Sequence, residues 1–292
     1  LTACGTAYLA GYIGKYWFER YARIPVEIDV ASEFRYREPP MGGKGLTLVV
    51  SQSGETADTL ASLRYAREQG QSIVSIVNVP TSTIARESHV VAGTIAGPEI
   101  GVASTKAFTC QLAVLACLAI AAGRARGTID AAGEKEMIQA LMSVPGLVAG
   151  LLTDESAFEH LARDLSKAKD VLYLGRGTSF PLSMEGALKL KELSYIHAEG
   201  YAAGELKHGP IALIDEDMPV IVLAPRDASF EKTVSNMQEV ADLSRQRRRC
   251  GAGGRRQAGG PCRDAADAPL HHAARLCGSG ATDRLSHSCG DG

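Results

Sequence analysis

The feature that most constrains the fold is the stretch from Leu46 to Thr56, where a β-branched apolar run breaks into small hydroxyl residues around Gly54. The apolar run predicts a buried strand of a parallel sheet, and the amphipathic residues 57–69 predict a helix directly after it. In open α/β sheets, ligands lie where strand ends meet helix N-termini. The backbone N–H groups at such a helix start suit a phosphate.

Two interpretations of this turn remain open at the level of sequence. In the first, the hydroxyl groups of Ser51, Ser53 and Thr56 bind a phosphate, and Gly54 lets the backbone approach it closely. In the second, Ser53 and Thr56 only cap the helix that follows, as in a capping box. The stretch matches no glycine-rich nucleotide loop, so its spacing alone does not decide between them.

Strand and helix patterns alternate over the first 120 or so residues. In order, the patterns are a truncated strand before Gly5, a helix to Tyr21, strands over 25–30, 46–50, 73–77 and 90–95, and an apolar helix over 107–122. Such alternation predicts a parallel sheet with helices on both faces.

The second half of the chain repeats the opening theme. Residues 171–178 again give a strand, a glycine turn and a helix, and residues 219–225 match the strand that begins at Leu46. An internal repeat is the simplest account. We therefore expect two doubly wound three-layer α/β/α sandwiches with parallel sheets at 1–130 and 155–240, the second incomplete, joined by a helical connector at 131–154.

The composition changes abruptly at Ala241. Residues 241–292 contain no Val, Ile, Phe, Tyr, Trp, Met or Lys, but nine Arg, nine Gly and four of the seven cysteines. Such a segment buries too little apolar surface to offset the entropy of ordering it. A basic disordered tail is one interpretation; the other is a gene read out of frame after the middle of a helix. Because the second sheet would be incomplete, we expect the strand at 219–224 to lie exposed at its edge.

Charge and cysteine usage exclude several classes of function. The 31 basic and 33 acidic residues nearly balance, which argues against a nucleic-acid footprint. No stretch approaches the ~20 uninterrupted apolar residues of a membrane span. The cysteines form no metal-type pairs, and the three outside the anomalous tail are typical of reduced thiols in a cytoplasm.

A narrow polar stripe interrupts the apolar helix predicted over residues 184–196. Glu185, Lys189 and Glu192 recur at intervals of four and three residues and therefore share one face. The stripe is either an intrahelical ion pair on a solvated edge or a set of groups facing a cavity. With His208 in the Gly- and Ala-rich segment that follows, a carboxylate, a lysine and a histidine would suit sugar isomerisation, which needs a ring opener and a base.

Several motifs together resemble the glutamine–fructose-6-phosphate aminotransferase family, also called glucosamine-6-phosphate synthase. The motifs, in chain order over residues 1 to about 240, are Cys4-Gly-Thr, Ala31-Ser-Glu-Phe-Arg-Tyr, Ser51-Gln-Ser-Gly-Glu-Thr-Ala-Asp-Thr, Gly101-Val-Ala-Ser-Thr-Lys, Glu185-Gly-Ala-Leu-Lys-Leu-Lys-Glu and Tyr201-Ala-Ala-Gly-Glu-Leu-Lys-His-Gly-Pro. They resemble the isomerase half of the family, which consists of two sugar-isomerase (SIS) domains.

The resemblance implies a set of site residues. The residues that would hold or line the sugar phosphate are Thr6, Ser51, Gln52, Ser53, Thr56, Val102 and Ser104. Glu192 corresponds to the base that moves a proton between C1 and C2, and Lys189 to its neighbour. His208 corresponds to the ring-opening histidine, which the family supplies from the adjacent subunit of a homodimer. The resemblance implies no cofactor and no metal.

Three departures from the family pattern bear on activity. Ala7 stands where the family often has a serine that contacts substrate. The N-terminal glutaminase domain is absent from this sequence, and Cys4 is not its terminal nucleophile. The family's C-terminal lysine, which forms a Schiff base with the open-chain ketose, has no counterpart, because no lysine follows Lys232.

Two functions are therefore weighed. The first is the isomerase portion of the enzyme that makes glucosamine 6-phosphate from fructose 6-phosphate, in a chain that binds sugar phosphate weakly but does not complete the synthesis. The second is a non-catalytic sugar-phosphate-binding regulator. Glu192 discriminates between them, since a sensor needs no buried base.

Overall fold

The computed structural model describes residues 1–153, 155–215, 217–252 and 275–276, which divide into two compact units at Leu141 and Met142. The elements of the first unit, in chain order, are β1 (Thr2–Ala3), α1 (Gly5–Trp17, continued by a π-helical turn Phe18–Ala22), β2 (Asp29–Val30), α2 (Ala31–Arg37), β3 (Leu46–Ser51), α3 (Ala57–Glu68), β4 (Ser72–Val77), α4 (Thr83–Glu87), β5 (Val90–Gly93), α5 (Lys106–Arg126) and α6 (Ala131–Leu151), which crosses the division.

The five strands of the first unit form one parallel sheet in the order β2-β1-β3-β4-β5. From β1 the chain moves to one side, and from β3 it moves to the other. The carboxyl ends of β1 and β3 are thus neighbours at a topological switch point, where open sheets bind ligands. The turn that follows Ser51 lies at this position.

The first sheet is covered on both faces, as its apolar sequence requires. Every residue of β3 after Leu46 is buried. One face packs against α3 and α4 through a cluster of buried side chains, namely Val49, Leu63, Ala66, Ile73, Val77, Ile84 and Ala85. The doubly wound α/β class expected from the sequence is confirmed.

Helix α5 is, by length and composition alone, the one described helix apolar enough to cross a membrane. Its inner residues, including Phe108, Leu115 and Ile120, are buried. A Cβ added at Gly14 of α1 would lie 2.9 Å from Leu115 Cδ2, so the two helices are in close contact. This is the packing of a core helix.

The second unit repeats the arrangement of the first. Its elements are α7 (Ser156–Leu165), β6 (Asp170–Gly175), α8 (Ser179–Ser194), β7 (His197–Ala202), two 3₁₀ turns (Ala203–His208 and Pro210–Leu213), β8 (Val220–Leu223), α9 (Phe230–Ala252) and β9 (Arg275–Leu276). The parallel sheet has the order β7-β6-β8-β9, so that β7, β6 and β8 stand as β2, β1 and β3 stand in the first unit.

Alternate residues of β6 and β8 serve opposite faces of the second sheet. Leu172, Leu174 and Val222 pack with Leu206, Ile214 and Val240 on one face. Val171, Tyr173 and Ile221 pack with Leu165, Ala187 and Ala198 on the other.

The expectation that the strand at 219–224 lies exposed was wrong. Val220, Ile221 and Val222 are at most 4% exposed, because α9 and the first 3₁₀ turn cover one face and α7 and α8 the other. Val222 and Leu223 also pair with the two residues of β9.

Element bounds differ from those expected from the sequence in several places. The strand expected over 25–30 is limited to Asp29–Val30. Helix α8 begins at Ser179, five residues before the expected start, with Pro181 in its first turn, where its missing N–H costs no hydrogen bond. Helix α9 continues across the composition change at Ala241 to Ala252. Most of the anomalous tail lies outside the described residues.

Candidate functional site

The turn after β3 is organised by its own hydroxyl groups. Ser51 is 2% exposed, and its Oγ lies 2.9 Å from Thr56 Oγ1. The N–H of Gly54 donates to Ser51 Oγ at 3.0 Å, and the N–H of Glu55 donates to Ser53 Oγ at 3.2 Å. The six residues therefore form a closed loop, which we call the Ser51–Thr56 loop.

This geometry disfavours the simple capping interpretation. Thr56 is the N-cap of α3, but its side chain makes no capping hydrogen bond and instead contacts Ser51. The first intrahelical bond runs from Leu60 N–H to the carbonyl of Thr56. The preceding N–H groups of the first turn have no intrahelical acceptor by construction, and the helix dipole there favours an anion.

A second helix start lies beside the loop. Cys4 precedes α1 at the end of β1, and the hydroxyl of Thr59, in the first turn of α3, lies 3.9 Å from Cys4 Sγ. Thr6 lies half-buried in the first turn of α1, with Ala7 next to it. Two helix N-termini thus meet at the switch point, and both can direct N–H groups at one anion.

Gly54 is required by the shape of the loop. Its φ is +68°, in the left-handed region that side chains disfavour. A Cβ at this position would lie 2.0 Å from Ser82 Oγ and 2.4 Å from Ser82 Cβ, and Ser82 is buried. The backbone of Gly54 also accepts a hydrogen bond from Ile84 N–H at 3.0 Å, so the loop lies directly against the start of α4.

Asn78 is a site residue that the sequence did not single out. Its N–H donates to the carbonyl of Gln52 at 3.1 Å. Its side-chain Oδ1 accepts from Ala96 N–H at 2.8 Å and from the hydroxyl of Thr94 at 3.1 Å, and its Nδ2 donates to the carbonyl of Gly97 at 2.7 Å. Asn78 therefore joins the Ser51–Thr56 loop to the segment 94–97. Asn78 could have been identified from the sequence, because it directly follows a strand predicted to be buried in a parallel sheet, and ligands bind at such strand ends.

The segment that carries Val102 and Ser104 is fixed by Glu99, a second residue missed from the sequence. The Glu99 carboxylate accepts from Ala107 N–H at 2.9 Å and from the Thr105 hydroxyl at 3.1 Å, which caps α5. The Ala107 N–H holds the pKa of Glu99 below its usual range. Val102 is 96% exposed and Ser104 is half-buried.

The polar stripe of α8 exists, and it lies on a largely buried edge. Lys189 Nζ contacts Glu192 Oε2 and lies 3.5 Å from Glu185 Oε1. The side chains of Glu185, Lys189 and Glu192 are 6%, 19% and 31% exposed. The intrahelical pairing expected from spacing is present, but the solvated edge that would make it ordinary is not.

His208 ends the first 3₁₀ turn and is exposed. Within the described part of the chain, no hydrogen bond or ion pair joins it to Lys189 or Glu192. The neighbouring Lys207 Nζ forms an ion pair with Glu239 of α9 at 2.9 Å. Arg176, at the end of β6, donates to Asn236 Oδ1 of α9 at 2.8 Å and lies against Gly204 of the same turn. Helix α9 thus holds the turn that carries His208.

The described residues contain no group of three or more His, Cys, Asp or Glu side chains that could hold a metal ion. The first unit offers hydroxyls and helix N–H groups, which suit binding of a polar anion. The second unit offers a lysine–carboxylate cluster, which suits movement of protons.

The family model described as "SIS domain" matches residues 1–121 and 164–244, which is most of the two units. The second match ends within four residues of the composition change at Ala241.

Curated relatives carry the name glutamine–fructose-6-phosphate aminotransferase (isomerizing). The relative from Bradyrhizobium diazoefficiens is 69% identical over 241 residues, and that from Mesorhizobium japonicum is 70% identical over 241 residues. Each alignment covers 82% of this chain and 40% of the relative. The chain therefore spans about two fifths of the length of the curated relatives that it matches.

A solved structure described as the C-terminal domain of glucosamine-fructose-6-phosphate aminotransferase from Francisella tularensis superposes with a TM-score of 0.82 at 44% identity. It covers 83% of this chain and 69% of that one. A glucosamine-6-phosphate deaminase from Thermotoga maritima, at 23% identity and a TM-score of 0.70 over 83% of this chain and 72% of that one, shares the fold.

Proposed function

The chain belongs to the SIS domain family, and from that premise we propose that it is the isomerase portion of a glutamine–fructose-6-phosphate aminotransferase. In this proposal the Ser51–Thr56 loop of the first unit binds a sugar phosphate, and Glu192, Lys189 and His208 have the roles that the resemblance to the family gives them. The observation that carries the proposal is the Ser51–Thr56 loop, in which hydroxyls and N–H groups are arranged around the start of α3 and not used to cap it.

Phosphate binding follows from the donors at the switch point. Ser51, Gln52, Ser53 and Thr56 supply side-chain groups, and the first turns of α1 and α3 add N–H groups. In our assignment Thr6, Val102 and Ser104 line the sugar on the same edge of the sheet. The bonds from Asn78 to Gln52 and to segment 94–97 support this assignment. They connect the Ser51–Thr56 loop to the start of the segment that leads to Val102 and Ser104.

The proton shuttle is assigned to Glu192. After ring opening, its carboxylate removes a proton from C1 of the open-chain ketose; the electrons of that C–H bond form the C1=C2 double bond while the C2=O π electrons move to O2. The O1 proton passes to O2, and the proton held by Glu192 is returned to C2 as the C1 carbonyl forms, which gives the aldose. Lys189 donates to Glu192 and fixes the orientation of the carboxylate. His208 transfers a proton to the ring oxygen as the anomeric C–O bond breaks, and the anomeric hydroxyl releases its proton as the C2 carbonyl forms. Its exposure is compatible with action on the sugar of a partner subunit in a homodimer.

The alternative is a sugar-phosphate-binding regulator with no chemistry. A sensor requires the Ser51–Thr56 loop but has no use for a lysine–carboxylate cluster on a mostly buried helix edge. The cluster of Glu185, Lys189 and Glu192 therefore favours the enzyme.

The two functions separate in an exchange experiment. The chain is incubated with fructose 6-phosphate in D2O, and NMR follows deuterium entry into the sugar and formation of glucose 6-phosphate. We expect Glu192→Gln to slow exchange by about 10²–10⁴-fold with sugar-phosphate binding retained. The matched control is Glu231→Gln, on the exposed first turn of α9. Binding without exchange in the unaltered chain would favour the regulator.

Three further assignments follow from the same proposal. First, we assign the chain to the cytoplasm, because Cys4, Cys110 and Cys117 are free cysteines, as is typical of a reducing compartment. The reaction is assigned no cofactor. Because no lysine follows Lys232, we expect the chain not to convert fructose 6-phosphate and ammonia to glucosamine 6-phosphate, which requires a covalently bound ketose in this family.

A further inference from the structure

Glu55 presents an electrostatic problem for a phosphate-binding loop. It lies between Gly54 and Thr56, in the middle of the loop assigned to the sugar phosphate. A carboxylate close to a phosphate dianion is repulsive, and the repulsion acts over several ångströms even in water. A neutral residue at this position would therefore bind phosphate better, unless the carboxylate has a structural role.

The structure turns the Glu55 carboxylate away from the loop and onto α4. Its Oε1 accepts the N–H of Thr83, the first residue of α4, at 2.7 Å. The next N–H along α4, from Ile84, donates to the carbonyl of Gly54 at 3.0 Å. Two consecutive residues of the loop are thus bonded to two consecutive N–H groups of one helix turn.

The same contact stabilises the ionised form of Glu55. The Thr83 N–H holds the pKa of Glu55 below its usual range, and the charge of Arg86 adds to this effect. Ser82, whose Oγ accepts from Ala85 N–H at 3.4 Å, fills the space beside Gly54. The first turn of α4 is therefore a rigid support behind the loop.

The geometry points to Glu55 as a positioning residue that locks the Ser51–Thr56 loop onto α4 in the shape that binds phosphate. The inference rests on the proposed function for its consequence in binding, but the locking itself does not require a ligand. What the position needs is a hydrogen-bond acceptor of this length for Thr83 N–H. Negative charge is a by-product that phosphate binding would be better without.

This distinction gives opposite expectations for two substitutions. Glu55→Gln keeps an oxygen that accepts from Thr83 and removes the charge, so sugar-phosphate affinity should stay equal or rise up to about threefold. Glu55→Ala removes the acceptor and leaves Thr83 N–H without it, so affinity should fall about tenfold, as expected when a helix-start hydrogen bond is lost. A matched control is Glu68→Ala, which removes an exposed carboxylate at the far end of α3.

The experiment has two measurements on the full chain. Calorimetric titration with fructose 6-phosphate and with inorganic phosphate gives affinities for all four proteins. Hydrogen exchange by mass spectrometry, without ligand, follows peptides that cover the loop and α4. We expect Glu55→Ala to speed exchange in both peptides at least threefold, whereas Glu55→Gln and Glu68→Ala leave it unchanged.

The outcomes separate this inference from the proposed function. Unchanged exchange in Glu55→Ala overturns the locking role, whether or not the chain binds phosphate. Equal weakening of binding in Glu55→Gln and Glu55→Ala also overturns it, because charge would then be the needed property. Faster exchange only in Glu55→Ala, in a chain that binds no phosphate, leaves the locking supported and refutes the proposed function.

Discussion

The two units place different loops at the same point of the same fold. In the first unit, the strand next to β1 ends in the Ser51–Thr56 loop; in the second, the strand next to β6 ends in residues 224–229. The second loop contains Asp227, whose Oδ1 accepts the N–H of Ser229 at 2.8 Å and its hydroxyl at 2.7 Å. A carboxylate of the protein thus stands at the start of α9, where the first unit has hydroxyls and a glycine and turns its own carboxylate, Glu55, onto Thr83 of α4.

The difference shows that strand order provides the position of a site but not its chemistry. Helix N-termini favour anions in both units. In the second unit Asp227 already supplies the anion, and an added phosphate would meet its negative charge. In the first unit Thr56 leaves α3 without a side-chain cap. We therefore assign phosphate binding to the first unit alone, and each prediction below contrasts a residue of the first unit with a counterpart in the second.

The largest effect is expected for Gly54→Ala, compared with Gly177→Ala. Both glycines have positive φ, +68° and +53°, but only at Gly54 would a Cβ meet a buried atom, Ser82 Oγ at 2.0 Å. We expect Gly54→Ala to cost about 3 kcal/mol of unfolding free energy and to abolish measurable phosphate binding, and Gly177→Ala to cost about 1 kcal/mol with binding intact.

Urea unfolding gives both values. Trp17 is the sole tryptophan and lies in the first unit, so its fluorescence follows that unit; hydrogen exchange in α8 follows the second. Equal costs for the two substitutions would contradict the close packing of Gly54 on Ser82.

A middle effect is expected for Asn78→Ala, compared with Asn236→Ala. Removal of the Asn78 side chain leaves the N–H of Ala96 and the carbonyl of Gly97 without that partner, which should cost about 2 kcal/mol and at least tenfold in sugar-phosphate affinity. Asn236 makes one good side-chain bond, from Arg176 at 2.8 Å, and one long one to Glu239 at 3.4 Å. We expect about 1 kcal/mol there and no change in affinity.

The measurements are urea unfolding, as above, and calorimetric titration with fructose 6-phosphate. If Asn78→Ala retains full affinity, the loop does not depend on its connection to segment 94–97, and the assignment of Val102 and Ser104 to the sugar loses its support.

The smallest effect concerns acid stability. Glu87 pairs with Arg64 through two bonds, at 2.9 and 2.5 Å, and Glu239 pairs with Lys207 at 2.9 Å. The Arg64 contact lowers the pKa of Glu87, and the Lys207 contact lowers that of Glu239. Because both are depressed from the unfolded value of 4.5, the stabilisation is present above pH 4.5 and is lost as the pH falls through each folded pKa.

These pairs lie near the surface, so each is expected to contribute only about 0.5–1 kcal/mol, with the two-bond pair of Glu87 at the upper end. Glu87→Gln and Glu239→Gln should each lower the unfolding free energy at pH 6, and the deficit should shrink as the pH falls below 4.5. Urea unfolding at pH 6 and at pH 3 provides the check, and a deficit of unchanged size at pH 3 would show that packing, not charge, is responsible.

The sequence predicted local features well and connections across the chain poorly. The Ser51–Thr56 loop and the polar stripe of α8 are contiguous or helically spaced, so their patterns were visible. Asn78 and Glu99 act on partners 6 to 26 residues away, and only the fold brings those partners together. The strand at Val220 was wrongly expected to be exposed, because α9 continues past the composition change and helps to cover one of its faces, and β9 pairs with its end.

The central claim is that phosphate binds at the Ser51–Thr56 loop and not at its counterpart in the second unit. The most direct test is an NMR titration of the isotopically labelled chain with fructose 6-phosphate, observed at assigned backbone amides. We predict saturable shifts at Gly54, Thr56 and Ala57, with residues 225–229 unmoved. Shifts centred on Asp227 and Ser229, with Gly54 unmoved at saturating sugar phosphate, would contradict it.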